Sequence, residues 1–118
     1  MTNERRINRT LMTLLSLCVG AVFSASALAE IDAEAAKALA KRNDCFKCHA
    51  INKTKKGPSY QKIAKKEKDK PDIEAKLIKH LTTSPKVKLE DGTEEEHKAI
   101  DTNDPAELKN LIGWILSQ

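Results

Sequence analysis

A chain of 118 residues holds at most one domain. With 3% aromatic and 32% charged residues, a domain this small needs a staple such as a disulfide, a metal or a buried cofactor. The net charge of +4 is mild, and without an aromatic platform for bases nucleic acid is excluded as a partner.

From the N-terminus, "MTNERRINRT" carries Arg5, Arg6 and Arg9, followed by the apolar run "LMTLLSLCVGAVF" and then "SASALAE". A basic head, an apolar middle and small residues at Ala27-Leu28-Ala29 predict a secretory signal peptide over residues 1–29, cleaved after Ala29. The mature chain, residues 30–118, would then be exported, soluble and monomeric. An uncleaved membrane anchor is the competing reading, but the apolar run is short for a spanning helix. Arg5-Arg6 raises the twin-arginine route, of which little else follows. Cys18 follows Leu17, where a lipoprotein signal wants a small residue.

Residues 31–43, "IDAEAAKALAKRN", place Ile31, Ala35 and Leu39 at helical spacing. Gly57-Pro58 breaks the chain, and a short helix is predicted over "SYQKIAKKE". In "KPDIEAKLIKHLTT", Pro71 stands at a first-turn position and Ile73, Leu77 and Leu81 form a stripe with His80 beside it. Residues 84–103 contain Pro85, Gly92 and many acids but no periodicity, which predicts a long and therefore functional loop. In "DPAELKNLIGWILSQ", Asp104, Pro105 and Glu107 read as N-cap, N1 and N3 of a capping box. Leu108, Leu111, Ile112 and Ile115 make that helix's apolar face; Gly113 would be explained by close approach to the alanine-rich first helix. No strand, repeat or second domain is visible, so the predicted class is all-α.

Charge is unevenly spread. Lysines crowd residues 47–70, whereas acids crowd residues 90–107 with only Lys98 among them. The expected result is a strong dipole suited to orienting the protein toward a charged partner.

The mature chain has two cysteines, Cys45 and Cys48, in "CFKCH". A disulfide there closes too small a loop to constrain a fold. C-x-x-C-H is the attachment signature of c-type haem. Two thiols separated by two residues can each form a thioether to one porphyrin vinyl group, and His49 is then held under the iron. Thioredoxin-like chemistry needs a βαβ context that is absent. A zinc set of Cys45, Cys48, His80 and His97 has the wrong spacing for a finger. The predicted cofactor is one haem c.

With "CFKCH", "KKGPSYQKIAKK", "DIEAKLIKHL" and "AELKNLIGWILSQ" in this order, the mature chain resembles the class I cytochrome c family over essentially its whole length. The resemblance implies a small all-α fold whose N- and C-terminal helices cross over one covalently bound haem. It implies that the Pro58 carbonyl accepts a hydrogen bond from His49, and that Tyr60 and Trp114 pack around the haem or its propionates. It implies an electron carrier rather than an enzyme, located in the periplasm. Lysines flanking the motif point to redox partners with acidic docking surfaces, including membrane complexes.

The family normally supplies methionine as sixth ligand from the loop before the last helix. Here Met1 and Met12 both lie in the signal peptide. Three replacements are open: His97, in the corresponding loop within "EEEHKAID"; His80; or a five-coordinate iron open to a small gas. His97 is the reading adopted, because imidazole is a ready haem ligand. A histidine pair implies a potential below that of a methionine-ligated relative. The acids Asp91, Glu94, Glu95 and Glu96 are expected to favour protonated His97 when it is off the iron.

Overall fold

The computed structural model describes residues 29–118; the signal-peptide reading of residues 1–29 lies almost wholly outside them. Among the described residues four helices form: α1 (Ala33–Arg42), α2 (Tyr60–Glu67), α3 (Ile73–Thr82) and α4 (Pro105–Leu116). A single 3₁₀ turn over Cys45–Lys47 carries the start of the C-x-x-C-H motif. Among the described residues, no helix is long and apolar enough to cross a membrane.

α4 is the hub, packing on α1, α2 and α3. Its predicted stripe, Leu108, Leu111, Ile112 and Ile115, is buried together with Trp114. Facing it, α1 buries Ala36, Leu39 and Ala40, two of them small enough to bring the helix axes close. The pair is also clipped near its ends: Asn110 Oδ1 accepts from the Asp32 backbone N–H and its Nδ2 donates to the Asp32 carbonyl, both at 2.8 Å. A Cβ on Gly113 would stand 3.3 Å from the Ile31 side chain. The close approach expected at this glycine is therefore to the residue leading into α1.

Helix boundaries follow side-chain chemistry. The Asp32 carboxylate accepts from the Ala35 N–H at 2.9 Å, and the Ser59 hydroxyl accepts from the Lys62 N–H at 3.1 Å, starting α1 and α2. Asp104 caps α4 by accepting from the Ala106 N–H at 2.8 Å. The reciprocal half of the box differs from expectation: the Asp104 N–H donates to Thr102 Oγ1 at 3.1 Å, and the Thr102 hydroxyl donates to Glu107. Thr102 thus relays the bond that Glu107 was expected to make directly. Pro71 lies outside α3 rather than in its first turn, two residues before Ile73 and ahead of an Asp72 in the left-handed region at φ 57°.

Residues 84–103 are not the structureless loop that the sequence predicts. They contain an antiparallel hairpin of β1 (Lys86–Lys88) and β2 (Glu94–Glu96), its turn passing through Gly92 at φ +86°. Lys86 stands opposite Glu96 and Lys88 opposite Glu94. Cross-strand pairs of opposite charge stabilise such ribbons. At the hairpin tip, the Glu90 N–H donates to the Lys56 carbonyl and Lys62 reaches Glu90 at 4.0 Å. The acidic stretch is thus partly neutralised by lysines, which softens the predicted dipole.

Candidate haem site

The described elements surround a cavity of about 710 Å³, within the range of cofactor pockets. Cys45, Cys48, His49, Pro58 and Tyr60 line one side, with His80 and His97 also on its wall. Both cysteines are unpaired and half-buried. Burial pushes the Cys45 thiol above its usual range.

The chain leaves α1 through Asp44, in the left-handed region at φ 60°, and turns directly into Cys45. The His49 N–H then bonds the Cys45 carbonyl at 2.9 Å, closing the motif into a compact turn. Pro58 is where the resemblance put it: its carbonyl oxygen lies 2.6 Å from His49 Nδ1. A carbonyl only accepts, so Nδ1 carries the proton and the Nε2 lone pair is free. Gly57 lies against the same ring, since a Cβ there would come within 2.9 Å of His49 Cε1. Tyr60 stacks on His49 with ring centres 5.3 Å apart, and burial drives its phenol well above its ordinary range. Trp114 is not on the cavity wall. It is buried behind Tyr60, edge-on at 5.3 Å, and buttresses that ring.

His97 follows directly on β2. Its N–H donates to the Pro85 carbonyl at 2.8 Å, and its Nδ1 lies 3.0 Å from the Lys98 carbonyl. By the same logic as for His49, Nε2 is left free. The His97 ring centre is 6.3 Å from that of His49 and 4.5 Å from that of His80. Burial, then the neighbouring imidazoles of His80 and His49, lower the pKa of His97. The raised value expected from the acids is not what is found: Glu94, Glu95 and Glu96 are solvent-exposed, and burial sets the direction of the shift. His80 is lowered for the same reasons, burial first and His49 second.

The third wall is α3, which has no buried residue although Ile73, Leu77 and Leu81 form its predicted stripe. All three line the cavity, with Val87, Leu89 and Ile100 beyond. An apolar stripe left half-covered around a cavity with two free thiols and three imidazoles suits a flat apolar group anchored through sulfur. The residues fit a haem. No group of three or more His, Cys, Asp or Glu side chains is arranged to hold a metal ion by itself among the described residues.

Sequence reasoning missed Asn43 and Asp101. Asn43 is 4% exposed, and its amide exchanges hydrogen bonds with Asp101, four residues beyond His97. A polar residue closing a helix before a C-x-x-C-H motif carries no local signal for a partner so distant in sequence.

Comparison with curated proteins returned no match. Among solved structures, the chain is similar to the class 1 cytochrome MtoD from Sideroxydans lithotrophicus ES-1. The two are 54% identical with a TM-score of 0.71, covering 75% of this chain and 97% of that one. Wild-type cytochrome c552 of Nitrosomonas europaea is 28% identical with a TM-score of 0.53, over 69% of this chain and 96% of that one. Its N64Del mutant gives 27% and 0.56 over the same shares. The cytochrome c family model matches residues 33–118, a span that includes both thiols, His49 and all four helices. The packed terminal helices, the thiol pair and the carbonyl-held histidine are thus found in a chain that belongs to the cytochrome c family, with the class I fold and the covalent haem and electron transfer that membership implies.

Proposed function

We propose that the mature chain is a periplasmic single-haem electron carrier whose iron is ligated by His49 and His97. When bound, the haem supplies a one-electron Fe(III)/Fe(II) couple. Cys45 and Cys48 hold it through thioethers, and Tyr60, braced by Trp114, keeps the His49 ring from turning. The Pro58 and Lys98 carbonyls fix the tautomers, so both Nε2 atoms are available as donors.

One observation carries the reading: the His49 and His97 ring centres stand 6.3 Å apart, each with Nδ1 held by a carbonyl. Metal–imidazole bonds run to about 2 Å, so two imidazoles ligating one ion from opposite sides have ring centres roughly 6 Å apart. The absence of methionine from residues 30–118 supports it. Imidazole in place of a thioether favours the oxidised couple and lowers the potential. His97→Met should therefore raise the midpoint potential measured by spectroelectrochemistry; an unchanged potential would reject His97 as ligand.

Exposed Lys47, Lys53, Lys55 and Lys56 surround the attachment motif and fit a partner with an acidic docking face. The association should weaken as ionic strength rises.

A further inference from the structure

The loop that carries His97 is tied at Lys98 and Asp101 to one short stretch, Arg42-Asn43-Asp44, which runs directly into Cys45. Asn43 Nδ2 donates at 2.9 Å both to the Leu39 carbonyl and to Asp101 Oδ1. Its Oδ1 accepts from the Asp101 backbone N–H at 2.9 Å. Arg42 grips the same carboxylate with two bonds, Nε to Oδ2 at 2.9 Å and Nη2 to Oδ1 at 3.0 Å. Lys98 Nζ donates to Asp44 Oδ2 at 2.8 Å, and the Lys98 carbonyl is the one facing His97 Nδ1. Between these ties, the Ile100 N–H donates to the Leu81 carbonyl at 2.8 Å.

The arrangement is more than a surface ion pair. Asn43 is buried, so breaking its bonds to Asp101 leaves polar atoms without partners, which is costly. Ties at positions 98, 100 and 101 leave His97 few residues over which to swing away from the cavity. The ties at 98 and 101 also join this loop to the residues that precede the first thiol, so one stretch of backbone links the two sides of the cavity.

We propose that the Asn43–Asp101 latch, reinforced by Arg42, is a positioning device that determines how readily His97 leaves the iron. The proposal rests on the reading of His97 as sixth ligand. Asn43 and Asp101 act through the loop and touch neither ring.

The probe is carbon monoxide mixed with the ferrous holoprotein, whose binding rate reports how often the sixth position opens. Asp101→Ala and Asn43→Ala should each raise that rate roughly tenfold, the equivalent of one hydrogen bond to a charged or buried group. Asp101→Asn retains an oxygen for Asn43 and should return most of the way to the wild-type rate. Asp32→Ala removes the cap of α1 at its far end and should lower thermal stability without changing the rate. Rates unchanged in Asp101→Ala and Asn43→Ala would overturn the latch, as would an equal acceleration in Asp32→Ala. A His97→Ala spectrum identical to wild type would overturn the latch and the ligand reading together. Loss of the six-coordinate spectrum in His97→Ala beside unmoved latch variants would reject the latch alone.

Discussion

The two histidines that face one another across the cavity are held in opposite ways. His49 is positioned by near neighbours in sequence: the motif turn, the Gly57 contact and the Pro58 carbonyl all lie within nine residues of it. His97 is positioned from afar, through Pro85 and Lys98 at its own backbone and through Asn43 and Asp101, which are 58 residues apart. The first side is fixed by covalent spacing and by steric fit. The second depends on a set of hydrogen bonds that can be loosened one at a time.

The largest effect should come from disturbing the sterically fixed side. In Gly57→Ala the new Cβ meets His49 Cε1 at 2.9 Å, and the ring cannot retreat because Tyr60 stacks on it. Overpacking of this kind costs about 1–3 kcal/mol. Thermal unfolding of the holoprotein should show the loss, together with an altered haem spectrum; a silent variant would mean that the ring has room it is not seen to have.

Asn43→Ala tests the other side. Removing a buried amide with three hydrogen bonds should cost about 1–2 kcal/mol. The comparison predicts that protease cleavage or hydrogen exchange in residues 97–103 rises, while the segment around His49 stays protected. Equal loosening of both would erase the distinction.

A smaller effect is expected with pH. The Asp101 carboxyl is held below its ordinary value by hydrogen bonds from Arg42 first and Asn43 second. A depressed folded pKa contributes stability that is present above the unfolded value and is lost as pH falls through the folded one. Asp101→Asn should therefore lower stability slightly at neutral pH and flatten the acid limb, the two proteins converging as pH falls below the usual carboxylate range. Because the carboxyl is solvent-exposed, salt should shrink the difference. An identical acid limb in the variant would remove Asp101 from the account.

What could be read from sequence follows the same division. Helical periodicity located α1 and α3, the Gly57-Pro58 break marked the start of α2, and the Asp104 cap with Pro105 marked α4, because each signal acts within a turn of its own position. The C-x-x-C-H motif named the proximal side for the same reason. The hairpin escaped notice because Lys86–Lys88 and Glu94–Glu96 are three-residue strands made almost wholly of charges, with no alternation to betray them. Its signal was the complementary charge of the two strands. The positions of Asp72 at positive φ and of the Thr102 relay depend on backbone geometry that no residue type announces. Trp114 was legible as buried; that it stands one ring behind the cavity was not.

The central claim is that His97 completes the iron's coordination, and chemical rescue tests it most directly. The optical spectrum of the ferric holoprotein should change from six-coordinate in wild type to five-coordinate or water-ligated in His97→Ala, and added imidazole should restore the original spectrum. A His97→Ala protein whose spectrum matches wild type without added imidazole would contradict the account.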